Sequence, residues 1–282
     1  MMAKLPERIG SLKLIQQIGV GKHCQVWEAL DEPARKKVAI KVVVPDMAQD
    51  VGQRKLLEHE LKVAKSLDHP TIIKIDRFAE EGGLPLLVME YFPAANLKKQ
   101  IAAGVDSLAP RLQRIVTEIA LALDHMHARG WVHRDVKPDN VLAAADGQTK
   151  VIDLAIAARS SGMLGKLLGG KTPPQGSPSY MSPEQIRGSA LDARSDIYSF
   201  GCVLFELLAG RPPYTATDTN DLLNKHVSAP VPAVDALNKN ATTSISKYLR
   251  QMLAKKPAER PASMKDVLKQ LRSIRLLERA TV

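Results

Sequence analysis

Strand-like and helix-like patterning divide this chain near residue 92. From Ile9 to about Leu87, short β-branched runs separated by turn residues predict five strands and one helix. Val88-Met89-Glu90-Tyr91-Phe92 follows as the last strand and a hinge. From Asn96 onward helical spacing dominates. Pro110 to Arg129 carries Leu112, Ile115, Val116, Ile119, Leu123 and Met126 on one stripe, and Met264 to Leu277 makes a closing amphipathic helix. A chain of 282 residues also exceeds what a single core usually holds. Together these features predict two lobes with a cleft between them, a small one built on a sheet and a larger helical one.

Within the helical part stands the octet His133-Arg134-Asp135-Val136-Lys137-Pro138-Asp139-Asn140. Phosphoryl transfer needs a base for the acceptor hydroxyl, a cation on the transferred phosphate and a metal ligand in one rigid loop, and Asp135, Lys137 and Asn140 supply all three. A turn that is merely polar is the plainer alternative. Other motifs accompany the octet in order. Val151-Ile152-Asp153-Leu154-Ala155 is a short apolar run with one carboxylate, at a distance from Asn140 that suits a hairpin. Val38-Ala39-Ile40-Lys41 is a β-branched strand ending in a cation. Gln53 to Leu67 is a helix with Leu56, Leu57, Leu61, Ala64 and Leu67 on one stripe, with Glu58 and Glu60 both within the helix and Asp68-His69-Pro70 as its stop. Ahead of all these lies Ile18-Gly19-Val20-Gly21-Lys22-His23-Cys24-Gln25-Val26, which alone marks no more than a hairpin.

Taken in this order, from about Ile9 to Leu271, the motifs resemble those of protein kinases, and H-R-D-x-K-x-x-N resembles the Ser/Thr branch. The resemblance implies an α+β, bilobal kinase-like fold: a small N-lobe of antiparallel sheet plus one helix, and a larger, mostly helical C-lobe. It implies a domain over 9–271, with an N-lobe of about 9–89, a hinge of about 90–95 and a C-lobe of about 96–271, followed by a basic tail at 272–282. It also implies ATP and Mg²⁺ or Mn²⁺ as cofactors. Asp135 would be the catalytic base, Lys137 would act on the transferring phosphoryl, and Asn140 and Asp153 would hold the metal. Lys41 would contact the α and β phosphates, held by Glu60, whose distance from His69 fits the family better than that of Glu58. Ile18, Gly19, Gly21 and Val26 would form the lid. Ala39, Met89, Glu90, Phe92 and Leu142 would surround the base, Glu90 and Phe92 through their main chain. Two departures stand out. Cys24 replaces the lid's third glycine, and Leu154-Ala155 replaces the Phe-Gly that usually follows the metal-binding Asp, which is expected to narrow that loop's conformational choice.

Gly176 to Glu184 resembles the family segment that shapes the peptide groove. Glu184 would pair with Arg260, and Asp196 would brace the octet's backbone. Arg134 implies a loop ordered by phosphate, with Thr172 as first acceptor and Ser160 and Ser161 behind it. The function expected is a bacterial-type Ser/Thr kinase regulated by activation-loop autophosphorylation. A nucleotide-binding pseudokinase scaffold is the alternative, and Cys24 and Ala155 are its support. The partners expected are proteins bearing Ser or Thr, and a second copy of the chain for autophosphorylation in trans.

Composition narrows the remaining classes. Forty Lys plus Arg against thirty Asp plus Glu favours anionic partners, nucleotide first. Aromatic residues at 4% with no stacking cluster argue against sequence-directed nucleic-acid binding. His125 and His127 stand two apart on a helix, on different faces, with no paired-cysteine motif for zinc. The longest apolar run, Phe200 to Ala209, is too short to span a bilayer and contains Glu206. With Cys24 and Cys202 far apart in sequence, a reduced, cytoplasmic setting is expected. A thiol at Cys24 near Lys22 and Lys41 also raises the idea of a depressed pKa and an oxidation switch.

Overall fold

The structure, a computed structural model, describes residues 5–160 and 175–279. It divides into two compact units. The first runs to Pro93 and takes in Asp153–Ala155; the second comprises Ala94–Ile152 and the chain from Ile156 on.

The first unit is a six-stranded antiparallel sheet with one α-helix. Its strands are β1 (Arg8–Ile9), β2 (Leu12–Val20), β3 (Cys24–Asp31), β4 (Lys36–Val43), β5 (Ile75–Glu81) and β6 (Leu84–Glu90), in the order β1-β2-β3-β4-β6-β5. Leu12, Ala29, Val38, Ile40, Val42, Leu86 and Val88 bury one face. The unbroken apolar run Leu84–Met89 is buried throughout, as befits a strand covered on both sides. This strand ends at Glu90, which leaves Tyr91 and Phe92 beyond the ladder. Helix α1 (Val51–Lys65) begins where the Asp50 carboxylate accepts from the Gln53 amide. Its buried stripe is Leu57, Glu60, Val63 and Ala64. Leu56, expected on that stripe, is 39% exposed, because one residue turns the helix by about 100° and Leu57 already faces inward.

In the second unit α2 (Leu97–Ala103) and α3 (Leu112–Ala128) precede four short strands: β7 (Trp131–Val132), β8 (Val141–Ala143), β9 (Thr149–Val151) and β10 (Ala158–Arg159). β8 pairs with β9 and β7 with β10, all antiparallel. Helix α3 starts at Leu112 rather than Pro110, since Val105–Arg111 forms a 3₁₀ turn with Pro110 inside it. The central helix, Ala193–Ala209, is buried from Ser195 to Leu208. The closing helix stops at Ser273 rather than Leu277; Leu276 is buried and Leu277 bridges to Ala241. The described part of the basic tail is therefore tied down: Thr242 donates to the Leu276 carbonyl and Glu278 to that of Asn240. Among the described residues no helix is long and apolar enough to cross a membrane.

Candidate active site

In the first unit, pairing places Val26 opposite Lys41, Glu28 opposite Ala39, and Ala39 and Lys41 opposite Met89 and Leu87. Cross-strand partners share a face and the side-chain period is two, so Val26, Ala39, Lys41 and Met89 line one surface of the sheet. Gly19 lies opposite Val26, where an added Cβ would come within 3.3 Å of the valine Cβ. Gly21 closes the hairpin by donating to the Cys24 carbonyl at 2.8 Å, beside Ile18 at the end of β2.

Lys41 Nζ sits 2.8 Å from Glu60 Oε2 and 2.9 Å from Asp153 Oδ1. Glu60 reaches it because Glu60 occupies the buried stripe of α1; Glu58 points outward to Arg54. The second Glu60 oxygen accepts from the Leu154 amide at 3.3 Å. Burial works against the Lys41 charge, yet the two carboxylates hold its pKa above the usual lysine range. Glu60 is raised as well, by burial first and by Asp153 second, against the pull of Lys41. Asp153 takes up φ +63°, while Ala155 is not among the residues of positive φ. In this conformation the left-handed turn falls on Asp153, so Ala155 carries no left-handed strain. Leu154 is fully buried.

The Cys24 thiol corrects an expectation. Burial pushes its pKa up, the Lys41 charge opposes this only in part, and Glu60 and Asp153 add to the rise. A thiol held in this way carries less thiolate than a free one, the reverse of the depressed pKa that an oxidation switch at Cys24 calls for. Cys24 and Cys202 are both free.

In the second unit the octet is built around Asp196, a fully buried carboxylate on the central helix. It accepts from the amides of His133 at 2.8 Å and Arg134 at 2.9 Å and from His127 Nε2 at 2.8 Å. These bonds hold Arg134 in the left-handed region, at φ +71°. Its backbone donors and His127 keep the Asp196 pKa low against the effect of burial. His133 accepts from the Asp135 amide at Nδ1, so Nε2 carries the proton and donates to the Ile152 carbonyl at 3.3 Å.

Around Asp135, Lys137 Nζ lies 2.7 Å from Oδ2, Asn140 Nδ2 donates to the same oxygen at 3.1 Å, and the Ser177 amide donates to Oδ1 at 2.9 Å. Lys137 also donates to Ser177 Oγ at 2.7 Å. Gly176 takes φ +122°, and a Cβ there would stand 2.9 Å from the Arg134 carbonyl oxygen, so only glycine passes this point without displacement. With its Nδ2 engaged, Asn140 keeps its amide oxygen for another partner, and its carbonyl accepts from the Ile152 amide at 3.0 Å. Hard oxygens such as those of Asn140 and Asp153 suit Mg²⁺. Leu142 follows in β8.

Glu184 and Arg260 form a two-pronged buried pair at 2.6 and 2.8 Å, and Ser195 donates to the same carboxylate at 2.7 Å. Although burial acts the other way, Arg260 holds Glu184 below the usual carboxylate range. Thr172 and Ser161 lie outside the described residues; Ser160 follows β10 and its amide donates to the Gly130 carbonyl.

Several participants were not legible in advance. Glu206, read only as a charge interrupting an apolar run, is buried and accepts from the Tyr180 hydroxyl and from Lys98 Nζ, both at 2.6 Å. Gln185, next after Glu184, donates to the Arg134 carbonyl at 2.8 Å and so ties this part of the chain to the octet. A carboxylate in an otherwise apolar helix signals that a partner exists, but nothing local says which.

The chain matches the family model for the protein kinase domain over residues 12–271. It is similar to the serine/threonine-protein kinase PrkC of Bacillus subtilis, 34% identical over 258 residues covering 92% of this chain and 39% of that one. Similarity extends to PknB of Mycobacterium tuberculosis, at 33% identity with 86% and 39% covered. With PknH of Mycobacterium bovis identity is 31%, with 92% and 44% covered. The chain spans about two fifths of the length of these relatives. A six-stranded antiparallel sheet bearing Lys41 with Glu60, a helical unit bearing Asp135, Lys137 and Asn140, and this match along nearly the whole chain have one common reading: the chain belongs to the protein kinase domain family, on its bacterial Ser/Thr side.

Proposed function

We propose that the chain transfers the γ-phosphoryl of ATP to Ser or Thr hydroxyls of proteins. The observation that carries this reading is the arrangement at Asp135, where a carboxylate is held by Lys137, Asn140 and the Ser177 amide. Asp135 orients the acceptor hydroxyl and takes its proton, and Lys137 stabilises the phosphoryl in flight. Lys41, held by Glu60, positions the α and β phosphates. The oxygens of Asn140 and Asp153 hold the divalent metal, Mg²⁺ or Mn²⁺, which neutralises phosphate charge when bound. Ile18, Gly19, Gly21 and Val26 cover the phosphates; Ala39, Met89 and Leu142 pack on the base, and the main chain of Glu90 and Phe92 bonds it. Lys137 supports hydroxyl acceptors of the Ser/Thr kind.

Regulation follows from Arg134, whose guanidinium accepts a phosphate placed on Thr172 by a second copy of the chain. The setting proposed is the cytoplasm, with the catalytic domain over 9–271. Asp135→Asn is expected to lower kcat at least about a hundredfold while nucleotide binding persists. Mass spectrometry of the chain after incubation with Mg²⁺ and ATP, beside calorimetric titration with ADP, reads both. Full turnover by Asp135→Asn, or none by the unsubstituted chain despite bound ATP, would replace catalysis with scaffolding.

A further inference from the structure

Strand β8 carries Leu142, and its two edges are held unequally. Toward β9 it is fully paired, with Val141, Leu142 and Ala143 opposite Val151, Lys150 and Thr149. On the other edge it makes an isolated bridge, Leu142 opposite Asn96, where the Ala143 amide donates to the Ala95 carbonyl at 3.2 Å. Val141 and Ala143 are buried, and Leu142 between them is only partly so. Successive side chains of a strand face opposite ways, so the residue read as packing on the base is the one that β8 turns away from its buried face.

A side chain reinforces the weaker edge. Gln100, in α2, donates through Nε2 to the Ala95 carbonyl at 2.7 Å and to the Ala143 carbonyl at 2.8 Å, so one amide spans both segments. Its Oε1 accepts from Arg111 at 2.8 Å, and the same guanidinium donates to the Ala144 carbonyl at 2.9 Å. These partners fix the direction of the amide. A guanidinium only donates and a carbonyl only accepts, so an inverted amide would set donor against donor at Arg111 and acceptor against acceptor at both carbonyls. Helix α2 does not need a glutamine here for packing, since its buried residues are Leu97 and Ile101. An apolar residue of the same length would continue the helix equally well. What it would lose is the two-point hold on Ala95 and Ala143.

We propose that Gln100, its amide set by Arg111, is a positioning residue that holds Leu142 in place for the adenine base by clamping Ala95 to Ala143. The inference rests on the reading of Leu142 as part of the base site. Its signature is selectivity: ligands with the base lose affinity when the clamp is cut, and ligands made of phosphate alone do not.

The test titrates the chain calorimetrically with Mg²⁺-ADP and with Mg²⁺-tripolyphosphate, for the unsubstituted protein, Gln100→Met, Gln100→Glu and Leu142→Ala. Gln100→Met keeps the length of the side chain without its donors and is expected to weaken ADP binding about fivefold. Gln100→Glu keeps the contact with Arg111 but turns an acceptor on the two carbonyls, and is expected to cost at least as much. Tripolyphosphate affinity should stay within about twofold in both, and the KM for ATP should rise while kcat at saturation holds. Unchanged ADP affinity in Gln100→Met, with Leu142→Ala weakened, would overturn the inference and leave the base site standing. Full ADP affinity in Gln100→Glu would also overturn it, since shape and Arg111 would then suffice. So would an equal loss for ADP and tripolyphosphate, which is the mark of general damage. If Leu142→Ala bound ADP as the unsubstituted chain does, the reading of Leu142 would fall and the inference with it; if the unsubstituted chain bound no ADP, the proposed function would fall as well.

Discussion

Two buried ion clusters, one in each unit, are built on opposite plans. Glu184 and Arg260 match one carboxylate to one guanidinium; Arg260 is wholly buried, Glu184 is 9% exposed, and Ser195 and backbone carbonyls satisfy what the pair leaves over. Around Lys41 a single cation faces two carboxylates, and Asp153 is 37% exposed. The pKa directions record the difference. Glu184 is lowered, as in a charge fully compensated, whereas Glu60 is raised, as in one desolvated and crowded by a like charge. A sealed, neutral pair with every donor used can only fasten the fold. A cluster with surplus negative charge and an exposed edge is, under the proposed function, the one that takes up the metal and turns its lysine to a phosphate.

The largest effect should come from breaking the sealed pair. Arg260→Met leaves Glu184 buried and unpaired and is expected to destabilise by about 3–5 kcal/mol, read by urea unfolding. A loss under about 1 kcal/mol would mean the pair is not a fastening. Lys41→Met should invert the pattern: phosphoryl transfer falls at least about a hundredfold, while stability falls by less than for Arg260→Met, because Asp153 keeps 37% of its side chain exposed to water. A cost equal to that of Arg260→Met would erase the distinction between the clusters.

The smallest and sharpest test is pH. Glu184 sits below its ordinary 4.5 in the fold, so its contribution is full above pH 4.5 and is lost as pH falls through the lower folded value. Glu60 sits above 4.5, so its contribution is full below pH 4.5 and is lost as pH rises through the higher folded value. Asp153→Asn removes the like charge beside Glu60. It should flatten the second slope and raise stability at pH 7 by about 1 kcal/mol or less, in thermal melts between pH 5 and 7. A drop in stability at pH 7 would show that Asp153 supports Lys41 more than it burdens Glu60.

Much of this was legible beforehand. The octet, Lys41, the helix bearing Glu60 and the change of periodicity near residue 92 are local patterns, and local patterns survive in one dimension. The choice of Glu60 over Glu58 came from spacing to His69; the structure adds the reason the two differ, since only Glu60 lies on the inward stripe. Helix ends were less legible. Pro110 was absorbed into a 3₁₀ turn, and Leu277 left the closing helix to meet Ala241, a residue distant in sequence.

By itself the sequence determined which residue types stand in which order: a cation at a strand end, a carboxylate on a helix, and a base, a lysine and an amide within one loop. These depend on near neighbours, which the chain order specifies. Tertiary structure alone decided the charge state and company of each group. It placed a left-handed turn at Asp153 and not at Ala155, raised Cys24 by burial, closed Glu206 against Lys98 and Tyr180, and brought Gln16 and Lys37 to Glu28. Desolvation and Coulomb interaction act through space between residues as many as 112 positions apart, as for Lys41 and Asp153, and no local pattern encodes that distance.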